Sequence, residues 1–182
     1  MAIGEIVMKL RIALALSLII FAVSSRLMPH PANFAPIAAV AIFGGAVLPR
    51  KWAIALPLAA MVLSDLVIGL HPLIWYTWGS FVLIALASHK YVKPEKPMAI
   101  LGASVGASIF FYLVTNFGVW AQGQMYSMSF AGLIRCYYMA LPFFRNTLFG
   151  DLFFTGLLFG LYALVYKLAS TSFDTKHIQK SV

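Results

Sequence analysis

The chain is poor in the residues that keep proteins in water. Only 10% of its 182 residues are charged and five are acidic, whereas a soluble domain carries about 25% charged residues. With 62% hydrophobic residues and a mean hydropathy of +0.92, too much apolar surface is present for a water-soluble fold to hide, so the expected solvent is lipid. The single cysteine, Cys136, excludes an intrachain disulfide and an all-cysteine metal site. Enzymatic signatures are missing too. The chain has no His-Glu-x-x-His, Cys-x-x-Cys, Gly-x-Ser-x-Gly, phosphate-loop or dinucleotide motif. It therefore reads as a non-enzyme with no cofactor, no metal and no ATPase of its own. Neither an internal repeat nor a low-complexity tract interrupts it.

What is present is a series of apolar runs. The first spans Met8 to Ser25, the second Phe34 to Leu48, the third Trp52 to Leu70 and the fourth Leu73 to Ser88. The fifth spans Met98 to Trp120 and the sixth Leu141 to Leu168, with 121–140 read as a loop plus an interfacial amphipathic piece. At about 20 residues per crossing, the sequence predicts an all-α membrane bundle of about six helices, one domain over 1–182. Polar tails are expected at 1–8 and 169–182. The first run also has the basic start, apolar centre and small-residue end of a signal peptide. Gly102-xxx-Gly106 and Gly156-xxx-Gly160 predict close helix approach within the bundle.

The net charge of +8 does not imply a nucleic-acid partner, because the basic residues sit singly or in small groups between apolar runs. That is where membrane topology needs them. With both termini cytoplasmic, Lys9, Arg11, Arg50, Lys51, Lys90, Lys93, Lys96, Lys167, Lys176 and Lys180 lie inside. Arg26, Arg135 and Arg145 lie outside, so ten of thirteen obey the positive-inside rule.

Ionisable groups in a bilayer cost about 2.5–3.5 kcal/mol each on insertion scales, so the few present carry information. Asp65 and Asp151 fall within apolar runs, and Arg26, Asn116, Arg145 and Asn146 near the outer ends. His30, Asn33 and His71 fall in the outer connections. Tyr112, Asn116 and Trp120 recur every fourth residue, as do Thr147, Asp151 and Thr155, placing each set on one helix face. Polar groups among aromatic side chains at one depth predict an outward-facing ligand pocket. The residues alone leave a structural alternative open, in which Asp65 pairs with Arg26 and Asp151 with Arg145.

Four motifs carry a family resemblance across Arg26 to Gly160. They are Arg26-Leu27-Met28-Pro29-His30-Pro31-Ala32-Asn33-Phe34 with Phe43-Gly44-Gly45, and Ser64-Asp65-Leu66 with Gly69-Leu70-His71. The others are Phe111-Tyr112 with Thr115-Asn116-Phe117-Gly118-Val119-Trp120, and Pro142-Phe143-Phe144-Arg145-Asn146-Thr147 with Gly150-Asp151. The chain resembles a bacterial group of small transport-type proteins, similar to the substrate-binding S-components of energy-coupling-factor (ECF) vitamin transporters. The resemblance implies an S-component-like bundle, a shared ECF energising module as partner, and a vitamin-like substrate held near the outer face of the inner membrane. It carries over to Arg26, His30, Asn33, Asp65, His71, Asn116, Trp120, Arg145, Asn146 and Asp151. The nearest relative type is a solitary cobalamin transporter whose cobalt-binding cysteine position matches Ser80 here.

The expected function is uptake of a small vitamin-type nutrient, a corrinoid included. Asp65, Arg145, Asn146 and Asn116 would hydrogen-bond it, and Trp120, Tyr76 and Tyr112 would stack on it. The rivals are an intramembrane enzyme using Asp65, Asp151 and a histidine, and a non-transporting assembly subunit.

Overall fold

The computed structural model describes the backbone of residues 2–179 and the side chains of Glu5 and residues 8–168. The polar tail expected at 169–182, with Lys176 and Lys180, lies outside the described side chains. Regular structure among the described residues is all helical: α1 (Ala2–Leu27), α2 (Ile37–Val47), α3 (Arg50–Ile68), α4 (Ile74–Tyr91), α5 (Pro97–Ala121) and α6 (Phe130–Gln179). α1 starts inside the stretch read as an N-terminal tail. Four helices, α1, α3, α5 and α6, are long and apolar enough to cross a membrane, the makeup of a helical membrane protein.

α2 corrects the expectation of six full crossings. Its 11 residues rise about 16 Å, roughly half of the ~30 Å hydrocarbon core. Every residue from Ile37 to Gly45 is buried, and α2 touches all five other helices. A helix apolar all round belongs in a core. Small residues let its neighbours close on it: a Cβ on Gly45 would lie 2.5 Å from the Ala85 carbonyl oxygen.

Side-chain contacts fix the helix directions. Arg26 meets Asp65, so α1 and α3 run parallel. Asp65 near the end of α3 meets Trp78 near the start of α4, and Tyr76 of α4 packs on Gly118 near the end of α5. Ser108 of α5 meets Asp151 of α6, and Phe43 of α2 packs on Phe159 of α6. α1, α3 and α5 thus run one way, and α4 and α6 the other. One end of the bundle carries Arg26, His71 and Trp120. The other carries Arg50, Lys90 and Lys96.

A second correction concerns residues 121–140. Only 122–129 is non-helical, and the expected interfacial piece is the start of one continuous 50-residue α6 that includes Pro142. Three hydrogen bonds hold this start on α5. Tyr112 Oη donates to Tyr137 O at 2.6 Å, Tyr137 Oη to Leu113 O at 2.8 Å, and Cys136 Sγ to Asn116 O at 3.3 Å. Its amphipathic pattern reflects packing on another helix rather than on a membrane surface.

A third correction concerns the glycine pairs. No neighbouring atom lies within 4 Å of a Cβ built on Gly102, Gly106, Gly156 or Gly160. Close approach occurs instead at Gly45, at Gly118 beneath the Tyr76 ring and at Gly150 beneath Phe34. A four-residue spacing marks a face that permits approach, but the neighbouring helix decides whether it is used.

Candidate functional site

The segment 28–36 does not simply turn back at the bundle end. Three prolines, Pro29, Pro31 and Pro36, disfavour helix here, and Asn33 adopts a left-handed backbone with φ +63°, a conformation asparagine tolerates. The segment then descends beside α6. The Phe34 ring sits 5.4 Å from that of Phe154, and Asn146 Nδ2 donates to the Ala32 carbonyl at 3.0 Å. Irregular backbone at membrane depth persists where protein satisfies its polar groups or where it lines a cavity. Both conditions hold here, and α2 consequently begins inside the bundle.

The start of α2 lines a cleft of about 250 Å³ together with Arg26, His30, Asn33, His71, Phe111 and Asp151. α1, the 28–36 segment, the α3–α4 turn, α5 and α6 each contribute a side chain. Ile37 and Ala38 form part of the wall. The N-cap residue is Pro36 and no side chain caps the first turn, so the partial positive charge of the helix start is directed at the cleft. A second cavity of about 210 Å³ shares Asn33, Thr77, Phe111 and Thr147 with it and adds Tyr112 and Asn116. The larger space of about 640 Å³ between α4 and α5 is walled by apolar side chains such as Leu83, Ala103 and Phe110, with no charged group to orient a polar ligand.

The two intramembrane acids have different surroundings. Asp65 is fully buried, and its oxygens accept from Arg26 Nη2 and Trp78 Nε1, both at 2.7 Å. His71 Nε2 lies 3.8 Å away. Asp65 stands behind the cleft wall and orients Arg26 rather than lining the cavity. Asp151 is 2% exposed and accepts from Ser108 Oγ at 2.6 Å. Among the described residues it forms no ion pair. The alternative pairing is therefore right for Asp65–Arg26, while Arg145 is exposed and away from Asp151.

Other expected site residues also lie outside the cleft. Tyr76 packs flat on Gly118. Ser80 is buried and donates to Tyr76 O at 2.6 Å. Trp120 Nε1 donates to Ser127 O at 3.0 Å, closing the α5–α6 loop. Asn146 is spent on Ala32, and Asn116 Nδ2 on Tyr112 O at 2.8 Å, although Asn116 still lines the second cavity. Conversely, sequence reasoning did not single out Met61, Thr77, Phe81, Phe111 and Ser108. Ser104 and Ser108 continue the four-residue spacing of Tyr112 and Asn116, and that signal could have found them. Among the described residues no three of His, Cys, Asp and Glu gather as metal ligands.

Residues 7–173 match a family of unknown function, DUF6580. No curated protein and no solved structure matches the chain. The match runs through every helix that shapes the cleft, and the chain belongs to the DUF6580 family.

Proposed function

We propose that this protein captures a small, planar, hydrogen-bonding nutrient of vitamin type from outside the bacterial inner membrane and passes it inward. The carrying observation is one cleft in which Arg26, His30, Asn33, His71 and Asp151 meet at the start of a buried helix. Asp151 is the one buried among them, 2% exposed within an apolar helix, and an ionisable group placed so marks a functional site by default. The positive-inside rule supports cytoplasmic termini, which turns the cleft outward. The resemblance to ECF S-components supports the same orientation and use.

The volume argues about the ligand. Two cavities of about 250 and 210 Å³ with shared walls suit a compact aromatic molecule lying against the stacked Phe81–Phe111 pair, whose rings are 4.8 Å apart, with its polar edge toward Asn33, Thr147 and Asp151. A corrinoid, with its macrocycle and nucleotide loop, exceeds this space. α1 leaves Leu10, Leu16 and Ile20 exposed, an apolar face available to an energising module as well as to lipid.

Native mass spectrometry of protein purified without added ligand tests the reading. A small molecule carried by the wild type and lost from Asn33→Ala and Thr147→Val supports it. A molecule held equally by all three contradicts it, as does a ligand-free wild type that restores growth to no vitamin-uptake mutant.

A further inference from the structure

We propose that the buried seam between α5 and α6 carries protons between the cleft and the opposite, lysine-bearing end of the bundle, with Asp151 as the carrier. The seam consists of Thr147, Asp151 and Thr155 on α6 and Ser104 and Ser108 on α5, none more than 6% exposed. Each set recurs every fourth residue, so each forms one stripe along its helix. A polar line with a carboxylate at its centre is a costly way to pack two helices in lipid, and a carboxylate buried at membrane depth is the group that proton relays are built on.

The Ser108 hydroxyl is built to serve both forms of Asp151. Its Oγ lies 2.6 Å from Asp151 Oδ2 and 3.1 Å from Ser104 O. A hydroxyl has one hydrogen to donate. When Asp151 is ionised, Ser108 donates to the carboxylate. When Asp151 is protonated, the acid donates to Ser108 Oγ, and the Ser108 hydrogen turns to the Ser104 carbonyl. Neither state leaves the pair unbonded.

Below this pair the seam has open hydrogen-bonding capacity. The hydroxyls of Ser64, Ser80, Thr115 and Thr147 donate to the carbonyl four residues back, the usual arrangement for hydroxyls in apolar helices. Ser104 and Thr155 break the pattern, since both hydroxyls are buried without a partner. Both border a groove of about 320 Å³ that extends to Pro94 and Pro97 beside the α4–α5 turn. Gly156 and Gly160 border the groove and carry no side chain to fill it. Its other walls are apolar, Ile100, Leu101, Leu152 and Phe159 among them, so water in it is anchored at the Ser104 and Thr155 hydroxyls, from which the groove opens toward the lysine-bearing end.

The groups facing Asp151 are compatible with a mobile proton. Arg26 from α1 is engaged by Asp65. His30 and His71 share the cleft from the 28–36 segment and the α3–α4 turn, while α2 presents only Ile37 and Ala38. α5 contributes Ser108. A proton enters from cleft water onto the Asp151 carboxylate. Asp151 then gives it to Ser108 Oγ as Ser108 releases its own hydrogen to a water lodged at the unpartnered Ser104 and Thr155 hydroxyls. The excess proton leaves that water through the groove. The chain thereby has its own coupling ion, whichever nutrient fills the cleft.

The test uses the full chain in liposomes with a trapped pH dye and a valinomycin potassium potential, negative inside. The expected result is acidification several-fold faster than in empty liposomes. Asp151→Asn should return it to the empty rate, Asp151→Glu should retain part of it, and Ser104→Ala and Thr155→Val should slow it several-fold. Infrared spectroscopy should show a titrating carboxylic-acid band in the wild type and in Thr155→Val, absent from Asp151→Asn. If Asp151→Asn does not fold, Ser104→Ala and Thr155→Val decide. Wild-type flux at the empty rate, or full flux in folded Asp151→Asn or in both hydroxyl variants, overturns the proposal. Proton flux in a protein that retains no nutrient and restores growth to no vitamin-uptake mutant would reject the uptake reading and leave the relay standing.

Discussion

Arg26 and Asp65, 39 residues apart in sequence, form an ion pair at 2.7 Å between the ends of α1 and α3, with side chains 17% and 1% exposed. Trp78 occupies the other Asp65 oxygen. Three helices are thereby tied at one point, and the guanidinium is held at the edge of the cleft. The carboxylate is satisfied on both oxygens, which is the condition under which a buried charge persists.

Removing either partner leaves the other charge buried and alone. Asp65→Ala should lower stability by roughly 3–5 kcal/mol, and Asp65→Asn by less, because the amide oxygen still accepts from Trp78. The Arg26→Ala/Asp65→Ala double variant should lose less than the sum of the singles, since both remove one interaction. Thermal unfolding in detergent measures all four proteins. Additive losses would contradict the pairing.

Two kinds of glycine should behave oppositely. A Cβ on Gly118 would lie 2.6 Å from the Tyr76 ring, so Gly118→Ala should cost about 1–3 kcal/mol through overpacking. Adding Tyr76→Leu should recover part of that loss. Gly102→Ala and Gly106→Ala meet open space and should change stability by less than about 1 kcal/mol. The same unfolding assay separates them.

The Asn146–Ala32 hydrogen bond anchors the descending segment to α6. Asn146→Ala removes this exposed hydrogen bond, worth about 0.5–1.5 kcal/mol. The effect should be local. Hydrogen–deuterium exchange should speed up at residues 30–36 and remain unchanged in α5.

The position of α2 predicts a gradient in the same experiment. Val40 N–H is bonded to Pro36 O at 2.8 Å and the residues that follow are buried, so Val40 to Gly45 should be among the slowest amides to exchange. Ile37 and Ala38 border the cleft without a side-chain cap and should exchange faster. Uniform protection across α2 would place its start away from water.

The apolar runs were legible because each is centred on one helix, although Phe34 to Pro36 of the second run belong to the irregular segment before α2. The four-residue spacings on α5 and α6 paired Tyr112 with Asn116 and Asp151 with Thr147 as walls of the two cavities. The depth of α2 was not legible. Its residues are as apolar as those of a crossing helix, and only its neighbours show that Ile37 starts within the bundle. The sixth run was placed from Leu141, yet α6 begins at Phe130 and continues through Pro142. Tyr76, Ser80, Trp120 and Arg145 carry chemistry suited to a ligand, but their partners are a glycine face, a helix carbonyl, a loop and solvent. Phe81 and Phe111 look like ordinary core residues in sequence, and they face the cleft only because α4 and α5 meet there.

Sided labelling of single cysteines tests the central claim most directly. In a Cys136→Ala background, Asn33→Cys at the cleft and Glu95→Cys in the α4–α5 turn receive a membrane-impermeant maleimide in intact cells from which the outer barrier has been removed. The account predicts that Asn33→Cys is labelled at once and Glu95→Cys only after lysis. Labelling of Glu95→Cys in intact cells, with Asn33→Cys silent until lysis, would turn the cleft toward the cytoplasm and contradict uptake from outside.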